Sequence, residues 1–529
     1  MKSHKALDDY SESIEAYENE LELQRELNNE REISQILFKI GKLHKKHQDF
    51  NKATEKFNEA YQIEERFNND RAIIDISVEL AEISLKRHNF SNAIKIYDNI
   101  LKKTAMINNN SIRVKALENI GKVYLRIKRF DESYNKFQDA INLVQDEQDK
   151  PLRISILNSI GDYFYEKDQD SNALEKYQEA FRLASILNEA KKKLLSCRNI
   201  GKVFEKKQDL IKALDWYNQS LNLAYDIDNI ENICLTLYDI SRIYKNQDKL
   251  DESKFFLKKG YEYCKKLNDF PGQIIFLNEI LEIYEIKKKY QKALEFYEEG
   301  VKIAEKIGDL ENQAIYLNNI AVIYFKWKKY IEALKNFELS YRILNQINNL
   351  HLRTRSLNNL GTVYYKLENF SQALNLLNIG HKLNEQIGHL DEEAWFLHKL
   401  GNVFYSQKQY DIALEHFRDA FQVSQLLNNN ELKATQLNNI GKTYYFLGDF
   451  DEAMESFKLA LNLAQEITTD GFSADLNNNI AGIYYAKNDY SNSIKFLHRS
   501  LEILDKLGLE NSEKAQILKR KIEYLKVHI

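Results

Sequence analysis

The sequence predicts an all-α protein: a right-handed α-solenoid of tandem helix-turn-helix repeats, closed by a terminal capping helix. Three observations predict it. One pattern of small, aromatic and apolar residues returns every 40 residues from Gly41 to Ala481, without insertion or deletion. Apolar residues inside each repeat fall at helical spacing. Glycine and proline are scarce, 17 and 2 in 529 residues, so turn-rich β structure is not expected.

The period is clearest in LNNIGKTYYFLGDFDEAMESFKLALNLAQEI, from Leu437 to Ile467. Forty residues upstream, Leu397 opens LHKLGNVFYSQKQYDIALEHFRDAFQVSQLL, and forty before that Leu357 opens LNNLGTVYYKLENFSQALNLLNIGHKLNEQI. The position of Gly441 is filled by a small residue in every repeat except at Leu281. The position of Tyr444 is aromatic in ten repeats and departs at His44 and Ser84. The position of Ala453 holds only Ala or Ser.

Each repeat reads as two helices. Leu437, Ile440, Gly441 and Tyr444 form one apolar stripe, and Ala453, Phe457, Ala460 and Leu461 form another. Small residues at Gly441 and Ala453 let the two helices approach closely. Tyr444, Phe450 and Phe457 fill the space around that approach.

Helix ends are marked as well. Asp451 stands as N-cap candidate of the second helix, and its position elsewhere holds Asn51, Ser91, Asp131, Ser171, Asp251, Ser371, Asp411 and Ser491. Between repeats lies a position rich in Asn or Gly, as in Asn28, Asn68, Asn108, Asn188, Asn268, Gly308, Asn348, Gly388, Asn428 and Gly508. Both types tolerate a positive φ at a helix end. Pro151 and Pro271 fall where a new first helix begins, a site that tolerates proline.

The order Gly441, Tyr444, Ala453, Phe457 resembles the tetratricopeptide repeat, over residues from about 10 to 500. The common repeat has a period of 34, against 40 here, and the extra residues lengthen the helices. The longer form, with its N-N-[IL]-G pattern and Gly308-Asp309 junction, is similar to repeats of the LGN/Pins polarity adaptors and of many bacterial and archaeal signalling proteins. The resemblance implies a scaffold that holds peptides or partner proteins, with first helices lining the concave face. It divides the chain into an N-terminal half-repeat helix (1–27), twelve repeats (28–507) and a C-terminal capping helix (508–529). In the half-repeat, Tyr10, Ile14, Tyr17 and Leu21 form a stripe that either caps the solenoid or is free for a partner, so weak homo-oligomerisation is expected there.

Composition narrows the partners. A formal charge of −4 gives no drive toward nucleic acid or anionic membrane, so neither is expected as a partner. No apolar run approaches the roughly 20 residues of a membrane span. The N-terminus lacks the apolar core of a signal peptide, and Cys197, Cys234 and Cys264 show no metal spacing, so a cytoplasmic setting is expected. Those cysteines sit at or beside apolar positions and read as core. His44 and His47 share a helix face without a third ligand, so no metal and no cofactor is expected. Gly441-Lys442-Thr443 imitates the end of a phosphate loop, but Gln436 stands where the upstream glycine is needed and no strand precedes it. No nucleophile and base come together, so no catalysis is expected.

The expected partner face is the C-terminal half, residues 312–490. Asn318 and Asn319, Asn358 and Asn359, Asn438 and Asn439, and Asn478 and Asn479 form paired amides on successive first helices. Amides give and accept hydrogen bonds to a peptide backbone, but such amides can equally bond neighbouring helices. Phe325, Tyr365, Tyr405, Tyr445 and Tyr485 form an aromatic row, and Trp395 stands near the same side as an anchor or an inter-repeat packing residue. The N-terminal half carries a mostly basic set, including Lys42, Lys45, Lys122, Arg126, Lys202, Lys206 and Arg242, either a solvated face or a site for an acidic partner. Two function classes follow: an adaptor holding a peptide or protein in its groove, in signalling, or a self-assembling scaffold with no groove ligand.

Overall fold

The computed structural model describes residues 2–47, 49–106, 110–144, 149–466 and 470–527. Twenty-six α-helices and no β-strand occur among them. They are numbered α1 to α26 in chain order. From α2 (Glu30–Lys46) to α25 (Tyr490–Lys506) they alternate as first and second helices of successive hairpins, with α1 (Lys2–Glu26) and α26 (Glu513–Lys526) outside the pairs. The fold is an all-α repeat solenoid, as the period predicts.

The helix–helix contact repeats the Gly441 arrangement. Gly441 on α22 (Asn430–Leu447) faces Phe457 on α23 (Phe450–Glu466), and a Cβ on Gly441 would lie 2.8 Å from that ring. The same pairing joins Gly41 to Phe57, Gly121 to Phe137, Gly201 to Tyr217 and Gly401 to Phe417. Phe57, Phe137, Phe417 and Phe457 are fully buried. Burial of such a ring stabilises the hairpin, and at these positions the ring occupies the space that the missing Cβ leaves; Tyr97 and Phe337 are buried likewise in repeats that carry Ala81 and Ala321 there. Gly260 against Phe276 and Gly380 against Phe396 use the device in reverse, with the small residue on the second helix.

The turns explain the helix lengths. Within a repeat, one left-handed residue reverses the chain: Gly448 has φ 92°, and the same position elsewhere holds Lys128 (φ 59°), Lys408 (φ 60°) and Asn488 (φ 60°). The cap follows at once. Asp49, Asp209, Asn369 and Asp489 accept the backbone N–H of the residue three places on. The N-cap therefore lies two residues before the Asp451 position expected from sequence. Asp451 itself sits in the first turn, where its charge favours the positive helix end.

Between repeats the same device recurs. Asn28, Asn68, Asn188, Asn268, Gly308, Gly388, Asn428 and Gly508 take positive φ as expected, and Asp228 joins them. Asn348 does not, because α17 (Tyr330–Leu344) ends early and a longer turn carries the chain; Asn108 lies outside the described residues. Asn69, Asn229, Asp309, Asn349 and Asn429 then cap the first helices. Pro151 and Pro271 stand in the first turns of α8 (Lys150–Glu166) and α14 (Phe270–Ile286), as expected.

The chain divides into two compact units, Met1–Ile283 and Tyr284–Ile529. In the first, the Leu21 side chain of α1 is buried and Ile14 and Tyr17 pack against a core that includes Ile36, Leu37 and Phe57. The stripe is thus turned inward at these three residues; the Tyr10 side chain lies outside the described ones. In the second, α26 buries Ala515, Leu518, Ile522 and Leu525 against Leu497, Leu504 and Ala474. Ser512 caps that helix.

Candidate partner-binding face

The candidate face lies wholly within the second unit, on α16 (Leu310–Lys326), α18 (Leu350–Lys366), α20 (Leu390–Ser406), α22 and α24 (Asp470–Ala486). The amides meet one another. Asn359 Nδ2 donates to Asn318 Oδ1 at 2.8 Å, and Asn479 Nδ2 donates to Asn438 Oδ1 at 2.8 Å. Asn319 Nδ2 donates to Tyr297 Oη at 3.1 Å, and Asn478 Oδ1 accepts from Lys521 Nζ of α26 at 3.1 Å. Asn439 lies 3.4 Å from His398 Nδ1, His398 standing where other repeats carry the first Asn. Asn358 alone of the eight makes no side-chain hydrogen bond among the described residues, although its carbonyl accepts from Thr362 Oγ1.

Three of these links, Asn318–Asn359, His398–Asn439 and Asn438–Asn479, belong to a relay that the repeat pattern does not display. A residue on one first helix bonds the residue 41 places on, in the next. In the first unit the links are Ser159 to Glu118 at 2.8 Å, Arg198 to Asp239 at 2.6 Å and Tyr238 to Glu279 at 3.0 Å. The geometry is constant while the chemistry varies. The only legible signal was the recurrence of polar residues at two adjacent positions.

The aromatic row is half-buried. Each ring rests on the first residue of its own second helix: Phe325 on Tyr330, Tyr365 on Phe370, Tyr405 on Tyr410, Tyr445 on Phe450 and Tyr485 on Tyr490, with centroids 5.4 to 6.1 Å apart. Phe446 wedges between Tyr405 and Tyr445 and is mostly exposed. Burial and neighbouring tyrosines push the Tyr405 phenol up to about 12. Tyr485 is 46 % exposed and Trp395 45 %. Trp395 meets His398 edge-on at 5.9 Å, with the Lys399 ammonium over its ring.

A cavity of about 540 Å³ opens at the α26 end of this row. Tyr445, Asn478 and Tyr485 line one side, and Ile517, Arg520 and Tyr524 of α26 the other. It exists because Gly482 occupies a position that carries Lys442, Asn402, Thr362 and Val322 in preceding repeats. A Cβ at Gly482 would meet nothing within 4 Å.

The basic set of the first unit is largely neutralised. Lys45 bonds Glu79 and Glu82, Lys122 pairs with Glu118, and Arg242 pairs with Glu205 and Asp239. Lys206 is held by Asp168 and Asp170. Gly441, Lys442 and Thr443 lie inside α22, not in a loop, so no phosphate cradle forms there. No cluster of three or more metal-capable side chains occurs among the described residues, and none of their helices is long and apolar enough to cross a membrane.

Helical hairpins stacked through a Gly–aromatic contact, with polar links between first helices, define a repeat scaffold built to present surface. Tetratricopeptide repeat family models match residues 112–185, 275–346, 314–383 and 392–466, and a second one 236–266, together over half the chain. The chain belongs to the tetratricopeptide repeat family. Similar solved structures include the Cut9–Hcn1 hetero-tetramer of the APC/C, at 15% identity and TM-score 0.39, covering 93% of this chain and 96% of that one. Apo RapI matches at 16% and 0.39 over 52% of this chain and 98% of its own. A tetratricopeptide repeat protein of Parabacteroides merdae matches at 16% and 0.39 over 55% and 98%. No curated protein sequence matches. The family carries the coarse role, a protein-interaction scaffold; the narrower likeness to LGN/Pins adaptors rests on repeat length and motif alone.

Proposed function

We propose that this chain is an adaptor, working in signalling, whose second unit binds an extended segment of a partner protein across its first helices. One observation carries the reading: Tyr365, Tyr405 and Tyr445, each half-buried against the core at one step per repeat, run on to the exposed Tyr485, with exposed Phe446 and Trp395 beside them. Flat amphipathic rings supply contact area at low entropy cost. The amides play a double part here. Asn318, Asn359, Asn438 and Asn479 are engaged in joining helices, so they fix the spacing of the rings. Asn358 and the remaining lone pairs and N–H groups of Asn319, Asn439 and Asn478 are left for a peptide backbone.

Affinity capture from source lysate tests the proposal. The full chain and a Tyr405→Ala/Tyr445→Ala variant of equal stability are compared, with bound proteins identified by mass spectrometry. The adaptor reading expects a protein held by the first and lost by the second. Capture that is indifferent to both rings removes the reading.

A further inference from the structure

We propose that the cavity between α24 and α26 is the end anchor of this face, and that it takes an apolar side chain of the partner segment with a neighbouring carboxylate of that segment held by Arg520 and Lys521. The inference rests on the adaptor reading above and adds what the segment must carry. Three observations support it. The cavity, about 540 Å³, has room for a leucine- or phenylalanine-sized group and is walled by Tyr445, Tyr485, Ile517 and Tyr524. It is specific to this repeat, because Gly482 opens a position that side chains fill in the repeats before it. Its charged lining residues are Arg520 and Lys521, with no Asp or Glu, so an anion beside the apolar group is matched and a cation is opposed.

Asn478 and Lys521 connect the cavity to the rest of the face. Their 3.1 Å bond places the ammonium at the mouth, on the side of the amide ladder. A segment running along Tyr405 and Tyr445 would reach the cavity with its next side chain, which is why the occupant is a protein segment and not an isolated small molecule.

The test uses the full chain and 1-anilinonaphthalene-8-sulfonate, an aromatic anion that mimics the paired requirement. Saturable binding of one molecule per chain is expected. Gly482→Leu should weaken it at least tenfold by filling the cavity, and its folding is protected because the new side chain enters open space on a helix. Arg520→Glu, on an exposed residue, should weaken it severalfold by reversing the mouth charge. Ile331→Ala, on an exposed residue of α17 that lines no part of the cavity or the face, should leave it unchanged. N-acetyl-Glu-Leu-Phe-amide should displace the dye, and its Gln counterpart should do so severalfold less well. Dye binding indifferent to Gly482→Leu overturns the site. Dye binding that the peptides cannot displace overturns the protein occupant. Failure of the wider face shows separately: the peptide still binds, but partner capture survives loss of Tyr405 and Tyr445.

Discussion

Asn479 Nδ2 donates to Asn438 Oδ1 at 2.8 Å, joining α24 to α22 one repeat away. Asn438 is 6 % exposed, so losing the donor leaves a buried acceptor without its partner. Asn479→Ala is expected to cost about 1–2 kcal/mol. Asn358→Ala, at an amide that makes no such bond, should stay within about 0.5 kcal/mol. Urea unfolding midpoints check both. Equal effects would mean that the relay does not hold the repeats together.

Gly441 and Gly482 stand one residue apart in repeat position, with opposite surroundings. Gly441→Leu drives a side chain into the Phe457 ring and should cost roughly 1–3 kcal/mol or more. Gly482→Ala meets open space and should stabilise α24 by up to about 1 kcal/mol through helix propensity. Thermal unfolding of the two variants reads the contrast directly.

The hairpin was legible because its defining contact is local and repeated: Gly441 and Phe457 are sixteen residues apart, and the same pair of types recurs along the chain. The caps were misplaced by two residues because the left-handed position between the helices is usually filled by Lys, Asp or Gln, as at Lys408 and Asp248, and gives no glycine signal. The relay was hidden because Glu118–Ser159, Arg198–Asp239 and Asn438–Asn479 share geometry without sharing chemistry. The cavity depends on α26, which lies outside the period and whose placement no repeat register could supply.

His398 ties the relay to pH. Its ring lies 3.1 Å from Gln436 Oε1 through Nδ1 and 2.9 Å from Asn402 Nδ2 through Nε2. Burial pushes the imidazole from 6.5 down to about 4. The folded value is below the unfolded one, so the native state favours the neutral ring. The contribution is fully present above about pH 6.5 and is lost as pH falls toward 4, by up to about 3 kcal/mol. A proton on Nε2 would also face the Asn402 amide donor. His398→Asn, the residue common at this position, should flatten the stability profile between those pH values. An unchanged acid limb would contradict this.

Cys234 Sγ and Cys264 Sγ are 3.6 Å apart between α12 (Ile230–Asn246) and α13 (Leu250–Leu267). Diamide should therefore join these two as a disulfide, with loss of two hydrogens by mass, while buried Cys197 keeps its thiol. Burial pushes the Cys197 thiol up to about 12, which further slows its reaction. A bridge involving Cys197 would contradict the hairpin register.

The central claim is that the second unit's first-helix face holds the partner. Calorimetry with a captured partner, comparing Tyr405→Ala and Tyr445→Ala with Lys122→Ala and Arg126→Ala in the first unit, tests it most directly. Each tyrosine truncation is expected to cost roughly 1–2 kcal/mol of binding, and the basic pair should matter little. Binding abolished by the basic pair and untouched by the tyrosine changes, with folding intact throughout, would place the partner on the other unit and contradict the account.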